Sequence, residues 1–322
     1  MALSVRLGVD IGGSHVAAVT LDARGRVRAS VVQPHNPQNG AEGTLQAVRA
    51  AADGATAFER CRVVGTVGVA FPGVLEGRKG RVTFAPNNPD WLGRSAPQML
   101  SKALGRRVLV ENDANCAAWA EHELGRGPPS DLLYVVLGTG IGGGLVMGGV
   151  LQRGVWGTGG ELGHVRVHGF ARRCGCGKRG CVEALAGGRA LAETAVRLAR
   201  SSPRSGLGRA LRERAGSALT AWDLLRLAEE GDIACRRARD TAAEALGEVL
   251  GSVVNVLGVP RVVLGGRLLH KAPGYEQGIR RAFQASLLPS LRGRVRFCRS
   301  RSWKHRNSMG AILLARTRKS GR

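Results

Sequence analysis

His164, Cys174, Cys176 and Cys181 lie in one short run, HVRVHGFARRCGCGKRGC, with Glu161 ahead of it and Glu183 just behind. One imidazole and three thiols are the four donors that a tetrahedral structural zinc site needs, and Gly175, Gly177 and Gly180 let the backbone wrap tightly around a metal. Two other readings compete. The thiols can be a disulfide pair plus a spare, or small buried apolar groups, as expected for Cys61, Cys116, Cys235 and Cys298. A Cys174–Cys176 bridge would close a strained loop, and seven cysteines is an odd total. The opening MALSVRLGVD has no charged-then-apolar signal segment pointing to an oxidising compartment. The histidine favours zinc over an iron–sulfur cluster, and the spacing differs from that of a DNA-binding finger, which ends in a spaced His pair. A metal-tied loop would hold Glu161 and Glu183 fixed around a small polyhydroxy ligand, so the run reads as half of a sugar site.

Two glycine turns suggest the second ligand. VRLGVDIGGSHVAAVTLDARGRVRASVV reads as a strand at Arg6–Val9, a turn at Asp10–Ser14, and strands at Val16–Leu21 and Arg26–Val32 joined by a turn at Asp22–Gly25. The amides of Gly12 and Gly13 can approach an oxyanion, Ser14 adds a hydroxyl, and Asp10 is placed to hold Mg2+ through water. An ordinary Gly-rich hairpin would look the same. LLYVVLGTGIGGGLVMGGVL repeats the pattern: a strand at Leu132–Leu137, a turn at Gly138–Gly143 that includes Thr139 and Gly140, and a strand at Leu145–Val150. Each turn leads into a strand, whereas P-loops and dinucleotide fingerprints open a helix. Two strand–turn–strand loops suggest a nucleotide held between two domains, as in the actin, hexokinase and sugar-kinase superfamily. Between them, RRVLVENDANCAAWAEHELG places Asn112 and Asp113 where a strand at Val108–Val110 runs into a helix at about Ala114–Leu124. An aspartate at that junction is commonly only an N-cap. The end of an apolar strand in an α/β protein is also where ligand-binding residues lie, and Asp113 is the candidate catalytic base.

These segments resemble the ROK family of sugar kinases and related repressors, nearest its bacterial glucokinase branch, over almost the whole chain. The resemblance rests on DIGGS at Asp10–Ser14, END at Glu111–Asp113, LGTGIGGG, and GELGH followed by CGCGKRGCVE, the last block being the most specific. FPG at Phe71–Gly73 and PNNPDW at Pro86–Trp91 resemble the family's sugar-proximal loop and sugar segment. The resemblance implies ATP-dependent phosphorylation of a hexose at its 6-hydroxyl, with glucose the leading acceptor and fructose, N-acetylglucosamine, N-acetylmannosamine and polyphosphate-dependent variants as alternatives. It implies Asp113 as general base, and Gly73, Asn87, Asn112, Glu161, His164 and Glu183 around the sugar. Asp10, Gly12, Gly13, Ser14, Gly138, Thr139, Gly140, Gly265 and Gly266 would serve the nucleotide with Mg2+, and zinc would be structural. The family's phosphate turn often carries Thr and Lys where Ser14 and His15 stand. Its adenine-side turn of three glycines reads VVLGGR here, ending in Arg267.

The elements that must position these groups fit a two-lobed α/β, actin/hexokinase-like (ribonuclease H-like) fold with an interlobe active-site cleft and a structural zinc loop. The expected lobes are residues 1–112, completed by a C-terminal helix within 308–322, and residues 113–307, with the lobes closing on sugar binding. Amphipathic spacing predicts helices at Arg189–Arg200, Ala221–Glu230 and Ile233–Leu257, a loop at Ser201–Gly208 and a last helix at Ser308–Thr317. A length of 322 residues with 43% hydrophobic content supports two cores. No apolar stretch approaches the roughly 20 residues a membrane span needs, so a cytoplasmic protein without membrane contact is expected. The formal net charge of +24 peaks at Arg292–Arg306, which contains no acid. With only 4% aromatics, no nucleic-acid motif and cations that are nearly all Arg, no specific nucleic-acid partner is expected. Non-specific polyanion binding at low salt is. A sugar-responsive regulator is the alternative function, disfavoured because the phosphate turn begins so near the first residue. The resemblance implies a homodimer or homotetramer.

Overall fold

The computed structural model describes residues 2–57, 61–77, 79–125, 130–213, 218–270, 272–300 and 305–317, and the statements below concern those residues. Along the chain run β1 (Ser4–Ile11), β2 (His15–Leu21), β3 (Val27–Pro34), α1 (Gly40–Ala57), β4 (Arg62–Val63), β5 (Val67–Phe71), β6 (Val74–Glu76), β7 (Arg81–Phe84), α2 (Ala96–Leu104), β8 (Val108–Asn112) and α3 (Asp113–Leu124). They are followed by β9 (Leu132–Leu137), β10 (Ile141–Met147), β11 (Val150–Leu151), α4 (Glu183–Ala186), α5 (Gly188–Ser201), α6 (Gly206–Glu213), α7 (Ala221–Glu229) and α8 (Ile233–Leu257). The series ends with β12 (Arg261–Gly265), α9 (Pro273–Ser286), β13 (Arg296–Arg299) and α10 (Arg306–Thr317).

The chain splits into two compact units, one of Met1–Tyr134, Gly144–Gly160 and Ser302–Arg322, the other of Val135–Gly143 and Glu161–Arg301. In the first unit a six-stranded sheet runs β3-β2-β1-β5-β8, with β4 beside β1. β2 lies antiparallel to β1, whereas β5 and β8 run parallel. Val5, Leu7, Val9 and Ile11 of β1 are buried with Val48, Val69, Phe71, Trp91 and Leu100, and Trp91 meets Phe71 edge-on at 5.1 Å. The other face is covered by α10, and glycines admit it. Gly8 and Gly68 are cross-strand partners on β1 and β5. A Cβ on Gly8 would stand 2.4 Å from the Ser308 carbonyl oxygen, and one on Gly68 2.2 Å from that of Ala311. At Gly310 a Cβ would stand 1.8 Å from the Cys116 carbonyl oxygen on α3. That close approach groups α3 with the first unit, whereas a boundary at Asn112/Asp113 had been expected.

A five-stranded sheet has the order β11-β10-β9-β12-β13, β12 and β13 being parallel. Part of the basic run is built into the sheet, although Arg292, Arg294, Arg296 and Arg299 stay exposed. Arg296–Arg299 is a strand, Arg280 stacks 4.7 Å over the Phe297 ring and donates to the Phe297 carbonyl at 2.7 Å, and Arg299 faces Glu276 at 3.7 Å. Residues 301–304 of that run lie outside the described residues.

Several element boundaries differ from expectation. Asp10 belongs to β1 and not to the turn, which is Gly12–Ser14. The second turn is Gly138–Gly140, because β10 begins at Ile141. The strand expected to run to Val150 breaks at Gly148 and Gly149, both at positive φ (59° and 69°), so β10 and β11 form a hairpin. The loop expected at Ser201–Gly208 contains the start of α6, where the Ser205 hydroxyl accepts from the Gly208 amide at 3.1 Å. No helix among the described residues is long and apolar enough to cross a membrane.

Candidate functional site

In the first unit, β8 delivers Glu111 and Asn112 and α3 starts on Asp113. Asn112, and not Asp113, caps the helix: its Oδ1 accepts from the Asn115 amide at 3.1 Å, while its Nδ2 donates to the Gly73 carbonyl at 3.2 Å. Asp113 accepts from the Ala114 amide at 2.8 Å. Burial, reinforced by the charge of Asp10, pushes the Asp113 carboxyl up to about 7. Asp10 is itself pushed up to about 6 by burial, against the opposing effect of Asn307, whose Nδ2 donates to both Asp10 oxygens at 3.2 Å. Two carboxylates whose charged forms disfavour each other titrate as a pair, and one of them is suited to take a proton near neutrality.

Beneath Asp113, the buried Glu111 has both oxygens engaged. Oε1 accepts from the Asn112 amide at 3.0 Å and from Asn115 Nδ2 at 3.1 Å, and Oε2 accepts from Arg153 Nε. Arg153, Asn115 and Asn307 were absent from the sequence-based site. No local signal marks Asn307, which stands 297 residues from its partner. Asn87 is exposed and its neighbour Asn88 is buried. In the first glycine turn the Gly12 amide donates to the His15 carbonyl at 2.9 Å, so it closes the turn and is not presented outward as expected. Gly13 and Ser14 are exposed, with the Ser14 hydroxyl 3.1 Å from His15 Nδ1.

The second unit holds the four predicted metal donors together. His164, Cys174, Cys176 and Cys181 each offer an atom within 4.8 Å of the others. Cys174 Sγ lies 3.6 Å from His164 Nδ1, and Cys176 Sγ lies 3.7 Å from Cys181 Sγ. Tetrahedral Zn–S bonds of about 2.3 Å would set sulfurs about 3.8 Å apart, whereas a disulfide needs about 2.05 Å. All of the cysteines are free thiols, so the donor set fits zinc. His164 turns its other nitrogen, Nε2, toward Glu161 at 3.7 Å.

Glu183 joins this cluster to the second glycine turn. Its Oε2 accepts from the Ile141 amide at 2.8 Å and its Oε1 lies 3.7 Å from Cys174 Sγ. A Cβ on Gly140 would stand 2.2 Å from Glu183 Oε2, which explains a glycine there. The Gly138 amide donates to the Gly140 carbonyl at 3.0 Å, and Thr139 is exposed at the tip. The Gly138 and Thr139 carbonyls accept from the Gly188 and Arg189 amides at 3.0 and 2.8 Å, which anchors the turn to the start of α5. Gly265 closes β12, and Gly266, at φ 101°, crosses the end of β9, where a Cβ would stand 2.2 Å from the Leu137 carbonyl oxygen. Arg267 begins a short 3-10 turn after it.

A half-buried carboxylate pair with raised pKa values, glycine turns between strands and a Cys/His cluster in an α/β fold define the class of the sugar kinases. Comparison with known proteins gives the family. The chain belongs to the ROK family, whose model matches residues 6–318. It is 29% identical to a glucokinase of Thermotoga maritima over 98% of both chains, and 31% identical to an N-acetyl-D-glucosamine kinase of Erwinia tasmaniensis over 95% of this chain and 98% of that one. Similarity to a glucokinase of Streptomyces coelicolor, 36% identical, spans only 62% of each chain. Among solved structures, a ROK family glucokinase from Streptomyces griseus in complex with glucose and AMPPNP superposes with a TM-score of 0.83 at 32% identity, over 97% of this chain and 99% of that one.

Proposed function

We propose that this protein transfers the γ-phosphoryl group of ATP to the 6-hydroxyl of a hexose, with glucose the first acceptor to test. Asp113 carries this proposal: a carboxylate at the first position of a helix, pushed up to about 7, is matched to taking a proton from an alcohol near neutral pH. As the hydroxyl oxygen attacks the γ-phosphorus, its proton passes to Asp113, and the bond from the γ-phosphorus to the oxygen bridging to the β-phosphate breaks to release ADP. Glu161, His164 and Glu183 hold sugar hydroxyls, the carboxylates accepting, and Asn87 and the second N–H of Asn112 are further groups able to bind hydroxyls. Gly13, Ser14, Thr139 and Gly140, with Gly265 and Gly266, serve the nucleotide.

His164, Cys174, Cys176 and Cys181 would hold zinc, which when bound fixes the loop and, through Nδ1, leaves His164 Nε2 as the protonated nitrogen. Asp10 is a hard oxygen donor suited to Mg2+ through water, and that ion would neutralise phosphate charge. His164 Nε2 then donates to a sugar oxygen while Glu161 accepts from its neighbour.

A coupled assay over glucose, fructose, mannose, N-acetylglucosamine and N-acetylmannosamine, with ATP and with polyphosphate, tests the proposal. Turnover of glucose with ATP is expected, and no turnover of any sugar would overturn it in favour of a sugar-binding regulator. Arg153 and Glu111 are positioning residues in this scheme. Arg153→Met is expected to lower kcat by about 10–100-fold through displacement of the Asn112–Asp113 backbone, with KM for ATP nearly unchanged and partial rescue in Arg153→Lys. Equal kcat in both variants would show the ion pair to be purely structural.

A further inference from the structure

From Val165 to Val182 the metal loop contains no acid and five strong cations, Arg166, Arg172, Arg173, Lys178 and Arg179. Counting three thiolates and one divalent ion as −1, the loop still carries a large positive excess. Among the described residues, Arg172 is the one of the five answered by partners on α5, where it donates to the Ala190 carbonyl and Thr194 Oγ1 and lies 3.8 Å from Glu193. Two antiparallel bridges, Arg166 with Cys181 and Arg173 with Arg179, fold the loop on itself. The second of these sets two guanidinium-bearing residues directly opposite each other, an arrangement that costs free energy unless something offsets it.

A cavity of about 360 Å³ opens on this loop, lined by His164, Arg166, Lys178, Arg179 and Cys181. Two of its three cations are held by the loop's own backbone. Lys178 Nζ donates to the His164 carbonyl at 3.3 Å, Arg179 Nη1 donates to the Ala171 carbonyl at 3.2 Å, and Arg166 packs against Gly180, where a Cβ would stand 3.1 Å from the Arg166 Cγ. Neither Glu161 nor Glu183 lines it. Three cations lining one cavity without an acid, on a loop tied by its own donors, match a ligand with several negative oxygens.

We propose that this cavity is a binding site for an inorganic oligophosphate, distinct from the phosphotransfer groups and linked to them through His164. It does not depend on the kinase proposal, and Asp113→Asn is expected to bind the same ligand unchanged.

Titration calorimetry with tripolyphosphate at low salt tests it. Saturable binding at one site per chain is expected, weakened by more than about tenfold in the triple variant Arg166→Gln, Lys178→Gln, Arg179→Gln. A control that removes the same charge from exposed positions outside this cavity, Arg24→Gln, Arg49→Gln, Arg62→Gln, is expected to lose less than about twofold. Equal losses in the two triple variants would overturn the site in favour of attraction by net charge, as would unchanged binding in the loop variant. Abolition of the isotherm by saturating ATP would also overturn it, by placing the ligand at the nucleotide site. Thiol accessibility and zinc content of each variant show whether the loop is intact, and the single variant Arg166→Gln, expected to weaken binding severalfold, serves if the triple does not fold.

Discussion

Asp113→Asn is expected to lower hexose phosphorylation by about 10²–10⁴-fold while leaving sugar affinity within about threefold. The amide keeps the shape and cannot accept the hydroxyl proton. In the unsubstituted protein kcat/KM should rise with pH and level off above about 7, because the base must be ionised and burial pushes it to about 7. The same shift has a signature in stability. A carboxyl whose folded value lies above its unfolded value contributes stability that is fully present below the unfolded value, near 3.8, and is lost as pH rises through about 7. The asparagine variant lacks that loss, so it should melt above the unsubstituted protein at pH 8 and close to it at pH 4. Melting curves across that range, beside a steady-state pH profile, check both halves. A variant with full activity would remove Asp113 from its role; an altered profile without a stability change would place the titrating group elsewhere.

Cys176→Ser should have the second largest effect. It removes one donor of four and leaves Cys181 Sγ without its neighbour at 3.7 Å. Zinc content, read by elemental mass spectrometry, should fall well below one per chain, and the KM for glucose should rise by about 10–100-fold. The two effects are expected together because His164 is in both sets of contacts: Nδ1 faces Cys174 and Nε2 faces Glu161. Glu183 extends the effect, since the same carboxylate faces Cys174 and accepts from the Ile141 amide at the end of the second glycine turn. A looser metal loop should therefore raise KM for ATP as well, by a smaller factor. Retained zinc with unchanged KM values would separate the metal from both substrates.

Much of this arrangement was legible because it is local. The four donors fall within 18 residues, and each glycine turn is announced by an apolar strand that stops at small residues. The long helix at Ile233–Leu257 was placed to the residue by its apolar spacing alone, and in the structure Gly258 closes it at φ 65°. The misses are non-local or sit where two rules conflict. α6 was hidden because it opens with Gly206 and Gly208, poor helix formers. Gly208 is required by contact, a Cβ there standing 2.2 Å from the Pro203 carbonyl oxygen. The capping role weighed for Asp113 falls instead to Asn112, a residue expected at the sugar, whose Oδ1 accepts from the Asn115 amide and whose Nδ2 donates to the Gly73 carbonyl. Arg153, answering Glu111 across 42 residues, has no signature that spacing could reveal.

The hydrogen bonds from Asn307 to Asp10 have a bearing on biosynthesis. The two residues are 297 positions apart, and a ribosome adding about 5–20 residues per second needs about 15–60 s to make one after the other. Throughout that interval β1 lacks the helix that covers Gly8 and Gly68, and Asp10 lacks its partner. The first unit therefore starts earliest and finishes last, and the nascent chain should stay sensitive to protease, and unable to turn over substrate, until α10 has emerged.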